Sequence, residues 1–171
     1  MKLTTVCMLL PLVFAGCGAS SAPAYDPAGF TCELAIDSVS TGEEGRFTAL
    51  YTSEGDTATM MLTAPARLEG ISFTFTEAGC TLRAGETAVP LSEQAAASLQ
   101  SLADLLRAFP ETASDRKRTA AGTVLTYPLG QVTLDDAGYP VLAETAEGRR
   151  ASVRILLPET DTKSSKPEES S

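Results

Sequence analysis

The chain has 171 residues and a formal net charge of −9, and its length suits one domain with a real hydrophobic core. The acidic balance argues against a nucleic-acid partner and against wide contact with anionic lipid headgroups. Because the sequence contains no histidine, the commonest general base and the commonest metal ligand are missing. We therefore predict no enzymatic activity, no cofactor and no metal site.

The N-terminal residues 1–16 have the organisation of a secretory signal peptide. A charged tip at Lys2 precedes an apolar run over residues 6–14, which is shorter than the roughly 20 residues of a transmembrane helix. Ala15 and Gly16 stand directly before Cys17, so the motif FAGC resembles the lipobox of bacterial lipoproteins.

This resemblance implies cleavage before Cys17 and attachment of a diacylglyceryl unit to its thiol. A pair of acyl chains gives stable anchoring. We therefore expect a lipoprotein held at the cell membrane, on its extracytoplasmic face, by the lipid on Cys17. A plain signal peptide cut elsewhere, or an uncleaved anchor, is the alternative.

Cys32 and Cys80 are the two cysteines beyond the lipobox. Cys32 shares strand parity with apolar Phe30 and Leu34, and Cys80 shares it with Leu82, so both thiols are expected on a buried side. In an oxidising compartment such a pair predicts a disulfide, worth about 4 kcal/mol on the chain-entropy estimate. Two free buried thiols are the alternative.

Composition divides the rest of the chain into three parts. Residues 17–29 are small, polar and proline-containing, and they predict a tether between the lipid and the fold. Residues 159–171 carry no large apolar side chain and predict a disordered tail. The folded domain is expected over residues 30–158.

Alternation of apolar and polar residues dominates the first half of this domain and predicts strands. Short turns join the segments, which favours an antiparallel meander. Six strands are expected, near residues 30–37, 47–52, 60–62, 71–76, 80–82 and 86–89.

The period changes after Ser92, a residue that suits a helix N-cap. Apolar residues then recur at steps of four and three until Pro110 ends the pattern, which predicts one amphipathic helix of about 17 residues. The apolar positions are Ala95, Leu99, Leu102, Leu106 and Phe109.

Alternation resumes after a polar loop over residues 111–122. Strands are expected at 124–127, 131–134 and 139–143, with a last one through 153–157. The predicted fold class is therefore α+β, a curved antiparallel sheet whose apolar face is covered by one main amphipathic helix.

Three stretches resemble LolA/LolB-like lipoprotein carrier domains. They are GRFTALYTSEGDTATMMLTAPARLEGISFTF at residues 45–75, the helix after the tripeptide VPL at 89–91, and GQVTLDDAGYPVLAE at 130–144. The resemblance implies a half-open β-barrel closed on one side by helix, with acyl chains or another long apolar ligand between the two.

Ten residues would face that ligand if the resemblance holds. The sheet would supply Phe47, Tyr51, Met60, Leu62, Ile71, Phe73 and Phe75, and the helix would supply Leu99, Leu102 and Leu106. Ordinary core packing is the alternative for each of them. The alternative function is a non-catalytic binding module that holds or regulates a cell-envelope enzyme.

Two basic segments stand out against the acidic background, at residues 116–118 and 149–150. If both opened on one rim of the fold, they would suit lipid phosphates or an acidic partner. Solvated loops are the alternative.

Overall fold

The computed structural model describes residues 25–38 and 45–156. The predicted signal peptide, the predicted lipidation site Cys17, residues 17–24 of the predicted tether and the predicted disordered tail lie outside the described residues.

Within the described residues, six strands precede the helix, as the alternation predicts. Each pairs antiparallel with the next, so the meander is confirmed. The strands are β1 (Gly29–Ser38), β2 (Gly45–Glu54), β3 (Thr57–Ala64), β4 (Ile71–Thr76), β5 (Gly79–Ala84) and β6 (Thr87–Pro90).

The amphipathic helix α1 runs from Glu93 to Arg107, close to its predicted span. Ser92 caps its start, since its side chain accepts a hydrogen bond of 3.3 Å from the Ala95 N–H. Its apolar face is buried toward its C-terminal end, where Leu102 is completely covered.

Five strands follow the helix, and the first of them was predicted as loop. They are β7 (Asp115–Thr119), β8 (Gly122–Tyr127), β9 (Gly130–Leu134), β10 (Pro140–Thr145) and β11 (Arg150–Ile155). All five residues of β7 are exposed. An edge strand that buries neither face has no apolar alternation, so its sequence reads as polar loop.

The eleven strands described form one open sheet in the order β6-β5-β4-β3-β2-β1-β11-β10-β9-β8-β7. Pairing of β1 with β11 joins the strands before the helix to those after it. Helix α1 contacts β5 in one half and β9 and β10 in the other, so the sheet curves around the helix. The α+β prediction of a curved antiparallel sheet covered by one main helix is confirmed.

The predicted disulfide is not formed, because Cys32 and Cys80 are both free and buried. Cys32 lies on β1 and Cys80 on β5, with β2, β3 and β4 between them. Four strand spacings amount to about 19 Å along the sheet, far beyond the roughly 7 Å between Cα atoms that a disulfide spans. The alternation of residues along each strand correctly places both thiols on the same face of the sheet. It does not show how many strands lie between them.

The fold also begins earlier than residue 30. Tyr25 is 7% exposed, and its ring meets that of Phe30 edge-on at a centroid distance of 5.3 Å. Pro27 is fully buried. The last part of the predicted tether is therefore packed against the domain.

Burial of the two thiols generates a prediction about their reactivity. Desolvation raises the pKa of Cys32 to about 12 and also raises the pKa of Cys80. The thiolate is the reactive species, so at pH 8 both should resist iodoacetamide in the native chain and react after denaturation without reductant. Peptide mapping by mass spectrometry checks this, and a peptide pair joined through Cys32 and Cys80 would contradict it.

Packing of the helix generates a second prediction. Replacing Leu102 with Ala should lower the free energy of unfolding by about 2–5 kcal/mol, because a completely buried side chain leaves a cavity. Met61 is 40% exposed, so Met61→Ala is the matched control and should cost less than about 1 kcal/mol. Urea denaturation of the two variants measures the difference, and equal losses would refute the assigned helix packing.

Candidate functional site

The ten predicted ligand-facing residues divide into two groups by burial. Six belong to the hydrophobic core beneath the helix. At these positions the space between sheet and helix is filled by the protein's own side chains. The six are Tyr51, Met60, Phe75 and Leu102 at 0% exposure, Leu106 at 1% and Leu62 at 6%.

Tyr51 ties the sheet to the helix within this core. Its hydroxyl donates a hydrogen bond of 3.1 Å to the backbone carbonyl of Ala103, and its ring lies 5.5 Å from that of Phe30. Burial is the main cause that raises the pKa of its hydroxyl. The phenol therefore stays neutral and acts as a structural link.

The other four predicted residues are only partly buried and pack at the margin of the core: Phe47, Ile71, Phe73 and Leu99. Leu99 lies on the helix face that carries the buried leucines. The three sheet residues share the inward face of β2 and β4, and we call them the apolar patch.

Strand register places the apolar patch toward one end of the sheet. Met60 pairs with Phe73, so the next inward residues on these two strands, Leu62 and Ile71, also lie side by side. Ala49 pairs with Leu62, and Phe47 is the next inward residue of β2 beyond Ala49. Burial falls along β4 in the same direction, from complete at Phe75 to partial at the patch. Along β2 and β4, cover of the inward face therefore falls from complete to partial toward the apolar patch.

Two residues outside the ten extend the apolar patch across the sheet. Leu82 pairs with Phe73, and Val89 on edge strand β6 pairs with Leu82 and is 45% exposed. Sequence reasoning placed both on strands without assigning them to the ligand-facing set. For Leu82, the parity that it shares with Cys80 on β5 was the available signal.

Four open clefts in the described part of the chain are lined by residues other than the ten. The cleft of about 750 Å³ lies between the polar face of α1 and the turn joining β4 to β5. We call it the helix cleft. A second cleft of about 700 Å³ lies where β1, β2 and β11 end, and we call it the strand-end cleft.

Polar side chains of the helix cleft are held in a fixed network. Asp104 accepts hydrogen bonds from Gln100 at 3.0 Å and from Arg107 at 2.8 Å. Arg107 also donates to the Asp56 carbonyl at 2.8 Å, which fastens the C-terminal end of the helix to the turn after β2. Because these groups satisfy one another, the network reads as structural rather than as acid–base machinery.

The two basic segments do not meet on one rim. Arg118 forms an ion pair of 2.7 Å with Asp136, in the turn between β9 and β10. Arg150 pairs with Glu144 at 3.1 Å, beside the turn between β10 and β11 at the other end of the same strands. A single basic rim that combines both segments is therefore not formed.

Among the residues that the structure describes, no three His, Cys, Asp or Glu side chains converge as a ligand set for a metal ion. In the same ranges, none of the helical segments combines the length and the apolar character that spanning a bilayer requires.

No family model matches the chain, and no curated protein matches it. Among solved structures, it is similar to the crystal structure of a LolA superfamily protein from Nitrosomonas europaea, with a TM-score of 0.40 and 14% sequence identity. That alignment covers 77% of this chain and 69% of the other. A TM-score at this level does not assign the chain to the superfamily.

Proposed function

We propose that this protein is an extracytoplasmic lipoprotein, held at the cell membrane by lipid on Cys17, that binds a lipid or another hydrophobic ligand on the inward face of its sheet. The observation that carries the binding proposal is the half-covered apolar patch, formed by Phe47, Ile71 and Phe73 beside a fully packed core. The anchor rests on the FAGC motif at residues 14–17.

The apolar patch suits an apolar ligand because its side chains are already arranged and only partly removed from water. Phe73 stacks against the buried Phe75, the next inward residue of β4, at a centroid distance of 6.4 Å with ring planes 18° apart, so one side of its ring is held by the core. A ligand that covers such a surface gains about 25 cal/mol for each Å² of apolar area removed from water.

Packing also supports a position for the proposed ligand. Tyr51 and Met60 are completely buried, so the proposed ligand rests against the half-covered end of the face rather than between these residues and the helix. This position differs from the one that the ten-residue set implies.

Binding rather than catalysis is the proposed activity. The chain has no histidine, and the carboxylate of Asp104 is already engaged by Gln100 and Arg107. The described residues give the ligand a surface to cover and supply no activated nucleophile.

The second candidate is a non-catalytic module that holds or regulates an envelope protein. The exposed edge strand β7 favours it, because such an edge can pair with an extended segment of a partner. Arg116, Lys117 and Arg118 on this edge would favour an acidic segment. A carrier should release bound lipid on organic extraction, whereas this module should not.

Ile71→Arg tests the hydrophobic site. A cation placed in the apolar patch should weaken binding of the fluorescent probe 1-N-phenylnaphthylamine by at least about fivefold, because an apolar ligand cannot solvate the charge. Met61 lies on the opposite face of the sheet, so Met61→Arg is the matched control and should bind within about twofold of the parent chain. Fluorescence titration measures both, with circular dichroism to confirm that each variant is folded. Equal binding by all three chains would count against the site.

Cys17→Ser tests the anchor separately from the ligand site. Without the thiol that accepts the diacylglyceryl unit, the protein should leave the membrane fraction and appear in the soluble extracytoplasmic fraction. Fractionation with immunoblotting measures the distribution. Retention of the variant in the membrane would overturn the lipid anchor and leave the binding proposal standing.

A further inference from the structure

The strand-end cleft lies at the opposite end of the sheet from the apolar patch. Phe30 pairs with Ser53 and Gly29 pairs with Glu54 at this end of the β1–β2 pair, whereas Phe47 pairs with Ile36 at the other end. The cleft has a volume of about 700 Å³, within the usual range of small-molecule sites. It is therefore a separate feature, whose use does not depend on the proposed lipid site.

Aromatic rings form the walls of the strand-end cleft. Tyr25, Phe30 and Tyr139 all line it, together with the aliphatic residues Ile155 and Leu156. Ring faces carry partial negative charge and attract cations.

These walls are held in place before any ligand arrives. Tyr25 meets Phe30 edge-on at 5.3 Å, and Phe30 lies 5.5 Å from Tyr51 in the core. Tyr139 is fixed through its backbone, since its N–H donates to the Asp135 carboxylate at 2.9 Å and its carbonyl accepts from the Asp135 N–H at 2.8 Å. Such preorganisation lowers the entropy cost of binding.

The charged groups of the cleft are all acidic. Asp26 and Glu54 line it, and none of its lining residues is Lys or Arg. Asp26 accepts a hydrogen bond from the Ala28 N–H at 2.9 Å. Within residues 25–38 and 45–156, neither carboxylate forms an ion pair, although five arginines elsewhere pair with Asp or Glu.

We propose that the strand-end cleft binds a small organic cation, an alkylammonium group on a compact apolar body. The ammonium would lie between Asp26 and Glu54, and the apolar body would lie against the rings of Tyr25 and Tyr139. Carboxylates favour a cation over a neutral group of the same shape, and the ring surfaces favour the apolar body that carries it. Thr31 and Thr52 supply hydroxyls for any polar substituent.

The test compares choline with 3,3-dimethylbutan-1-ol, which replaces the quaternary nitrogen by carbon and has nearly the same shape. Titration of the full ¹⁵N-labelled chain by NMR should move the amide signals of Gly29, Thr31 and Ser53. Choline should bind at least about fivefold more tightly than the neutral compound. Equal binding of the two probes would show that the cleft recognises shape alone, and absence of shifts with choline would also overturn the proposal.

A second experiment replaces the two carboxylates by neutral isosteres. The double variant Asp26→Asn with Glu54→Gln should remove most of the preference for choline while keeping affinity for the neutral probe, because the Asn side-chain carbonyl can still accept the Ala28 N–H. Glu86 is an exposed carboxylate in the turn between β5 and β6, so Glu86→Gln is the matched control and should keep the preference. An unchanged preference in the double variant would refute the role of the carboxylates.

Discussion

One helix has to cover an apolar face that is much wider than itself. Eleven strands spaced about 4.8 Å apart make a sheet about 48 Å wide if laid flat, whereas the 15 residues of α1 rise only about 22 Å. Curvature brings β5, β9 and β10 into contact with the same helix. Even so, along β2 and β4 the cover of the inward face falls from complete to partial, and the apolar patch lies where that cover ends.

Attachment of the helix is uneven along its own length. Its C-terminal half is fixed by the Tyr51–Ala103 hydrogen bond and by Arg107, which reaches the turn after β2. Its first turn is capped by Ser92 but is mostly exposed. The C-terminal half of the helix is therefore its firmly attached part. The rings of Tyr25 and Phe30, which line the strand-end cleft, pack against the same core through Tyr51.

Local patterns in the sequence predict the helix and ten of the eleven strands described. Apart from β6, whose four residues are all exposed, each of these elements buries residues of one face and so carries a period. Strand β7 buries neither face, so its charged sequence shows no apolar alternation that would predict a strand. Parity correctly assigns Cys32 and Cys80 to the buried side, but the distance between them depends on how many strands intervene, which parity does not encode. Tyr25 was predicted to lie in the tether because its neighbours in the sequence are small or polar. Whether Met60 or Phe73 is fully covered depends on the reach of the helix, which no local pattern contains.

The two margins of the sheet are protected from self-association by different chemistry. Strand β6 ends in Pro90, which has no backbone N–H to offer a neighbouring strand. Strand β7 instead carries adjacent like charges, which repel the same strand of another molecule. Dissolved salt screens the charge repulsion at β7 and does not affect the missing N–H of Pro90, so a rise in ionic strength weakens the protection of the β7 margin alone.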